Sequence, residues 1–179
     1  ARKLFEASSI SSTSITSIAK EANVSRELIY YYFDNKQALV DAVIDDYVED
    51  MVESAMVWNE SRQFGNTPES LRKCIISFKR ALFDAQGLRP MIAVLQELGI
   101  RDEFVSRAVQ ETARYLNDCV ASEYAAYHPI KIDLVYETFC VLLFGLVGVV
   151  KAFPDITDDA LMKIVEQTLH LDMNVITKP

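Results

Sequence analysis

Residues 16–36 read TSIAKEANVSRELIYYYFDNK and decide the fold of the N-terminal part of the chain. Two short segments, each with an apolar face, are separated there by Asn23 and Val24. Asparagine tolerates the left-handed conformation that ends many helices, and Ser25 is a favoured residue at a helix start. The stretch therefore predicts two short helices joined by a tight turn, which is a helix-turn-helix.

The second of these helices has one apolar face and one face suited to DNA. Successive residues turn by about 100° in a helix, so Ile29 and Phe33 lie together and point at the core. The three tyrosines 30–32 cannot all share that face, and at least one must point outward. Tyrosine hydroxyls commonly bond phosphates, and Arg26 can bond guanine or a phosphate.

Several residues beside this row allow two interpretations. Glu27 could accept a hydrogen bond from cytosine or could only favour the start of its helix. Leu28 could touch a thymine methyl group or be partly buried. We expect Tyr32 to be packed rather than to contact bases, and Lys36 to bind a phosphate beside a helix start.

Helical periodicity continues through the chain and predicts an all-α protein of about nine helices with no convincing strand. Helix 1 runs to about Ala7, and Thr13 or Ser14 caps helix 2. Asp34 is expected to cap a long fourth helix, with Gln37 completing a capping box. The later helices are expected at about 67–87 (capped by Thr67), 89–98, 102–127, 132–151 and 157–175 (capped by Thr157).

Composition and charge narrow the class of protein. Half of the 179 residues are hydrophobic, and the net charge is -8, whereas residues 1–36 carry a net charge of +1. A small DNA-facing patch on an acidic body fits this distribution, although excess acid also simply keeps a protein soluble. Three scattered cysteines and no apparent signal peptide predict a cytoplasmic protein with reduced thiols. The apolar run 138–150 is too short to span a bilayer and predicts a buried helix.

The N-terminal pattern resembles the DNA-binding domain of TetR-family regulators. The resemblance covers about the first forty-five residues and includes a Tyr-x-x-Phe-x-x-Lys sequence after the turn, which ends at Lys36. The family usually has glycine where Ser9 stands, and often where Asn23 stands. By this resemblance, the expected DNA-binding residues are Ser14, Thr16, Ser25, Arg26, Glu27, Leu28, Tyr30, Tyr31, Tyr32 and Lys36.

The resemblance also implies a division into a helix-turn-helix domain, residues 1–45, and a ligand-binding and dimerisation domain, residues 46–179. Because the sequence begins inside a helical pattern, we expect the N-terminus of the first domain to be incomplete. An apolar or aromatic small-molecule effector is expected among helices 4 to 8. The candidate lining residues are Trp58, Phe78, Phe83, Met91, Phe104, Tyr115, Tyr124 and Phe139.

The last two helices are expected to pair with those of a second copy as a four-helix bundle. Their apolar stripes could instead fill the core of one subunit. The expected interface residues are Phe139, Leu142, Leu143, Leu146, Val150, Leu161, Ile164, Val165, Thr168 and Leu169.

The predicted function is a ligand-responsive, sequence-specific DNA-binding regulator. We expect a repressor that acts as a homodimer on an inverted-repeat operator, without cofactor, metal or membrane partner. One alternative is a helical interaction protein that has lost DNA binding. An enzyme is a further alternative, but no HExxH, phosphate loop or nucleophile elbow occurs in the sequence.

Overall fold

A computed structural model describes residues 1–84 and 87–175 of the chain. These residues form nine helices, which confirms the all-α prediction. The helices are α1 (Arg2–Ser8), α2 (Ile15–Glu21), α3 (Arg26–Tyr32), α4 (Lys36–Ser61), α5 (Thr67–Leu82), α6 (Pro90–Glu97), α7 (Arg101–Tyr115, continuing through a π-helical segment Leu116–Ala121 into Ser122–Ala125), α8 (Val135–Ala152) and α9 (Asp158–Leu169). A two-residue antiparallel pair, β1 (Phe83–Asp84) with β2 (Gly87–Leu88), joins α5 to α6.

Side-chain caps begin several helices. Ser14, Ser25 and Thr157 cap α2, α3 and α9 as the sequence predicts. Two predicted caps are wrong by one residue. Asn35 caps α4 in place of Asp34, and Asn66 caps α5 in place of Thr67. In both cases the asparagine oxygen accepts a hydrogen bond from the backbone amide three residues later, so the adjacent residue is displaced from the cap position.

Two helices end earlier than the sequence predicts. Helix α5 stops at Leu82, because the chain turns there into the β1–β2 pair rather than continuing to Gly87. Helix α9 stops at Leu169 rather than Val175, because His170 adopts a left-handed conformation with φ of 50°. The chain then returns along the body, and Val175 pairs with Asn66 in an isolated antiparallel bridge.

One hydrophobic core joins the N-terminal helices to the body. Phe5 of α1 and Tyr47 of α4 are almost fully buried in the same cluster as Leu95 of α6 and Phe104 of α7. The predicted division at residue 45 stays a prediction, and it falls within α4, which contributes to the core on both sides of it. Residues 85–86 and 176–179 of the second predicted domain lie outside the described residues.

The apolar stripes of α8 and α9 face inward, which corrects most of the predicted dimer interface. Helix α5 packs against both helices and buries these side chains within one protomer. Three other predicted interface residues, Leu143, Ile164 and Leu169, are partly buried, and Thr168 is exposed. The six predicted interface residues that are buried in the protomer are Phe139, Leu142, Leu146, Val150, Leu161 and Val165.

The opposite face of α8 is apolar and exposed. Val141 is 70% exposed and Phe144 is 43% exposed. Gly145 and Gly148 lie on the exposed surface, and a methyl group at either position would meet no atom within 4 Å. Helix α8 is long and apolar enough to cross a membrane by length and composition, yet only 22% of it is buried in the protomer. The prediction of a buried helix therefore holds for one face of α8 only. We call Val141, Phe144, Gly145 and Gly148 the open face of α8.

Candidate nucleic-acid interface and effector cavities

Reciprocal hydrogen bonds fix the start of α2. The Ser17 backbone amide donates to the Ser14 hydroxyl oxygen over 3.0 Å, and the Ser14 amide donates to the Ser17 hydroxyl oxygen over 3.0 Å. This capping box satisfies two amides that a helix start leaves without intrahelical partners. The side chains of Ser14 and Thr16 are exposed, so both predicted contact residues are accessible to a phosphate.

The turn between α2 and α3 is built by local chemistry. Asn23 has φ of 54°, the left-handed conformation that ends α2. The Val24 amide donates to the Ala19 carbonyl oxygen over 3.0 Å. The Ser25 hydroxyl oxygen accepts from the Leu28 amide over 3.2 Å and so begins α3. These contacts set the angle at which α3 leaves α2.

Helix α3 buries one residue and presents the rest of its surface outward. Ile29 is buried, and Phe33, directly after the helix, packs partly against the same core. The exposed residues around Ile29 are Ser25, Arg26, Glu27, Leu28, Tyr30, Tyr31 and Tyr32. The structure thus brings seven of the ten predicted DNA-binding residues onto one exposed helix.

The prediction that Tyr32 is packed is wrong. Tyr32 is 70% exposed and Tyr31 is 78% exposed, and their rings meet edge to face with centroids 5.1 Å apart. Helix α3 has only one buried residue, so no core is available to cover a second or third tyrosine. The pair forms an exposed aromatic ridge that ends in two hydroxyl groups.

Glu27 folds back onto the start of its own helix. Hydrogen bonds from its own backbone amide and from the Ser25 hydroxyl lower the pKa of the Glu27 carboxyl group. Both donors lie at the N-terminus of α3, where the helix dipole favours negative charge. The structure therefore favours the helix-starting role for Glu27 over base contact.

Lys36 and Glu97 hold the loop that precedes α2. The Lys36 ammonium group donates to the Ile10 carbonyl oxygen over 2.5 Å. The Glu97 carboxylate accepts from the backbone amides of Ile10 and Ser11 over 3.1 and 3.0 Å. These amides, that of Ser11 first, lower the pKa of Glu97. We call Lys36, Glu97, Ile10 and Ser11 the loop clamp.

Sequence reasoning identified Lys36 but missed Glu97. Glu97 lies on α6, more than eighty residues after Ser11 in the chain, and no local pattern marks it. Lys36 is half-buried, and one of its three donors is engaged by Ile10. The remaining donors leave it able to bind a phosphate as well.

Arg2 is engaged within the protein. Its guanidinium group contacts Asp46 at 2.8 Å and Asp50 at 2.5 Å, and it lies 4.5 Å from the centre of the Tyr47 ring. The Tyr47 hydroxyl donates to the Glu6 carboxylate over 2.8 Å. This network ties α1 to α4, so the positive charge of Arg2 serves the fold rather than DNA.

The body contains two adjoining cavities, of about 160 Å³ and about 120 Å³. Helices α4, α5, α7 and α8 contribute to both. We call the larger cavity, which contains His128, the histidine compartment, and the smaller, which contains Met51, the methionine compartment. Of the predicted lining residues, Tyr124 and Phe139 line the first, Phe104 lines the second, and Trp58 and Phe78 line both.

Three predicted lining residues are wrong. Met91 is buried in the core that joins α1, α4 and α6, and it lines neither cavity. Phe83 packs against the core between α5 and α8, and Tyr115 packs against the core between α7 and α8. Each of the three side chains therefore packs against a core cluster and lines neither of the two cavities.

Polar groups are concentrated at one side of the histidine compartment. His128 is 4% exposed, and its ring stacks on Tyr124 with centroids 4.7 Å apart. Its Nε2 atom lies 3.4 Å from the Thr67 hydroxyl oxygen, and its Nδ1 atom lies 3.6 Å from an Asp172 carboxylate oxygen. Arg62 donates to Glu123 and to the Asn59 side-chain oxygen.

A capped helix-turn-helix with an exposed outer face, carried on a larger helical body, defines a DNA-binding transcriptional regulator. Residues 1–43 match the family model for bacterial regulatory proteins of the tetR family. The N-terminal part of the chain is thus similar to the DNA-binding domain of that family.

Among solved structures, the chain is similar to a Clostridium perfringens protein described as "putative fatty acid metabolism regulator". The two share 17% sequence identity with a TM-score of 0.48, and the match covers 98% of this chain and 96% of that one. A likeness at this level carries no conclusion about the ligand of this chain. No curated protein matches the sequence.

Proposed function

We propose that this protein is a ligand-responsive repressor that binds a specific inverted-repeat operator as a homodimer in the cytoplasm. The exposed outer face of α3, from Ser25 to Tyr32, carries this proposal. It combines a guanidinium group, three phenol hydroxyls and an apolar side chain on a helix of seven residues, short enough to enter a major groove.

We assign different roles to the residues of this face. Arg26 and Tyr31 contact base edges, and Leu28 touches a thymine methyl group. Tyr30, Tyr32 and Lys36 bind phosphates and so fix the register on the duplex. The remaining expected contacts to the DNA backbone come from Ser14, Thr16 and Ser25.

The open face of α8 supports the homodimer. Exposed valine and phenylalanine side chains beside two glycines offer an apolar surface that a second helix can approach closely. A two-fold dimer presents two copies of α3, and its operator must then repeat with inverted symmetry. We expect the two copies of α3 to lie about 34–36 Å apart, or further if the half-sites are more widely spaced.

Helix α4 and the loop clamp support ligand control. Met51, Ala55 and Trp58 line the cavities, while the first turn of the same helix carries Lys36. Glu97 adds a second connection from the body to the loop before α2. A ligand that favours one tilt of α4 would move both copies of α3, with a coupling of about 1–3 kcal/mol, or roughly 5- to 150-fold in operator affinity.

Selection of duplexes from a random pool tests the proposal. We expect an inverted repeat to be selected, and its affinity to fall steeply with salt because phosphate contacts release counterions. Arg26→Ala should weaken this selection, because it removes about 1–3 kcal/mol of discrimination between bases. The matched control is Arg114→Ala, because Arg114 is exposed on α7 and forms an ion pair with Glu111 of the same helix. Failure of the wild-type protein to bind any duplex would instead support an interaction protein that has lost DNA binding.

A further inference from the structure

The two compartments lie side by side and share part of their lining. Trp58, Cys74, Phe78, Leu116 and Leu143 line both, and we call these five residues the neck. Burial raises the pKa of the Cys74 thiol to about 12, so the neck carries no charge at neutral pH. Each compartment is about the size of a cavity that holds a single benzene ring. A ligand longer than one ring would have to extend past the neck residues from one compartment into the other.

The methionine compartment offers a ligand almost no polar atoms. Its apolar wall includes Met51, Ala55 and Phe104. Three hydroxyl side chains lie in the wall, those of Ser54, Ser77 and Thr112. The Ser54 hydroxyl donates to the Asp50 carbonyl oxygen, and the Ser77 hydroxyl donates to the Ser54 carbonyl oxygen. Only an apolar portion of a ligand gains free energy by entering such a space.

The histidine compartment contains a buried polar atom with no hydrogen bond. His128 Nδ1 has no hydrogen-bond partner among the described residues, and its 3.6 Å separation from Asp172 is too long for one. A buried nitrogen without a partner costs free energy, which a ligand hydroxyl group would recover. His128 is thus placed to bind the polar end of a ligand.

The charges around this polar end compensate each other. Of the charged groups around this end, Arg62 and Glu123 bind each other, and the Asp172 carboxylate lies 3.6 Å from His128 Nδ1. Arg62 also binds Asn59 and lies 4.8 Å from the centre of the Phe64 ring. A ligand carboxylate would find no unpaired cation there and would lose its hydration, so an uncharged polar end fits better.

We propose that the two compartments together bind one elongated ligand, with an apolar chain through the neck and an uncharged hydroxyl-type group at His128. This inference rests on the proposed ligand control and specifies its ligand class. Met51 and Phe104 line the methionine compartment and also pack against the core that supports α1 and α2. Chains long enough to reach that compartment therefore change operator affinity, whereas short ligands bind without changing it.

The test uses straight-chain 1-alkanols of six to twelve carbons and the alkanoic acids of the same lengths. Trp58 is the only tryptophan in the chain and lies in the neck, so its fluorescence reports occupancy directly. We expect the dissociation constant to fall about fourfold for each added methylene group. Each acid should bind at least about tenfold more weakly than its alkanol. Chain-length independence, or tighter binding of the acids, would overturn the inference.

Variants locate the apolar chain of the ligand and its polar end separately. Ala55→Phe fills the methionine compartment and should abolish the gain from longer chains, while short alkanols bind as before. Val57→Phe is the control, because Val57 is two residues away on α4 and 58% exposed. His128→Phe should remove the preference for alkanols over acids, and Thr67→Val should reduce it. Circular dichroism identifies any variant that does not fold, and the wild-type ligand series decides the matter without variants.

Operator affinity measured in the same titrations separates this inference from the proposed function. If long alkanols bind and shift operator affinity, both stand. If the alkanols do not bind while other small molecules still shift operator affinity, the proposed ligand class is wrong, but ligand control is still supported. If long alkanols fill both compartments without any effect on operator affinity, the claimed link between chain length and DNA binding is wrong, and so is ligand control through these cavities.

Discussion

Helices α3 and α8 both expose apolar side chains, but the two surfaces differ in chemistry. The tyrosines of α3 end in hydroxyl groups and lie beside Arg26, so water or phosphate can satisfy that surface. The open face of α8 offers valine, phenylalanine and glycine, with no side-chain polar atom among its four residues. The surface of α3 can be hydrated in the absence of DNA, whereas the open face of α8 is stabilised when another apolar surface covers it.

The largest expected effect comes from placing a negative charge on each of these two surfaces in turn. Phe144→Glu places a charge on the open face and should weaken dimerisation by about 2 kcal/mol or more, because an apolar interface cannot solvate a carboxylate. Sedimentation equilibrium measures the change. Tyr31→Glu, which adds the same charge to α3, should leave the dimer intact and abolish DNA binding. An unchanged association constant for Phe144→Glu would place the dimer interface elsewhere.

The surface of α3 was predictable from sequence because local contacts determine it. Three local features shape this surface, and each involves contacts over at most a few residues. They are the Ser14 cap, the left-handed Asn23 and the Ser25 cap, and all three are visible in the sequence. One buried position, Ile29, then leaves every other side chain of the helix exposed. The misplaced Tyr32 shows the limit, since a short helix with one core contact cannot bury a flanking aromatic residue.

The faces of α8 could not be assigned in the same way. Both sides of the helix are apolar, so periodicity does not indicate which side meets α5 and which remains open. Leu146 and Val150 belong to the inward side, while Val141 and Phe144 belong to the other. The Glu97 half of the loop clamp and the neck between the compartments also depend on contacts between distant helices. Such contacts leave no local signal in one sequence.

The next effect tests the division of roles on α3. Arg26→Ala and Tyr31→Ala should each reduce discrimination between operator and random duplex by about 1–3 kcal/mol, because both side chains contact base edges. Lys36→Ala should weaken binding to all duplexes alike and lower the salt slope by about one. Salt titrations on both duplexes measure these quantities. Equal losses on both duplexes for all three variants would contradict the assignment.

A smaller effect concerns the loop that supports this surface. Ser9 has φ of 78° and ψ of 159°, a conformation that only glycine adopts without strain, and the family resemblance also indicates glycine here. Ser9→Gly should therefore raise the free energy of unfolding by about 1 kcal/mol. Ser11→Gly is the control, because the φ of Ser11 is not positive and added flexibility should reduce stability there. Denaturant unfolding that ranks the two variants in the opposite order would show that Ser9 is not strained.

The smallest expected effect concerns Glu27, the one acidic side chain on the exposed face of α3. Its carboxylate lies where an anion at the helix start would otherwise bind, so Glu27→Gln should raise affinity for all duplexes slightly, most at low salt.

The same change should reduce protein stability, because the carboxylate accepts hydrogen bonds from its own amide and from Ser25. A lowered pKa in the folded state gives stability that is present above the unfolded pKa and lost as the pH falls through the folded one. The stability difference between the wild type and Glu27→Gln should thus be present at neutral pH and disappear in the acid range below 4.5. A loss of affinity confined to one operator position would instead show that Glu27 leaves the helix start and contacts cytosine.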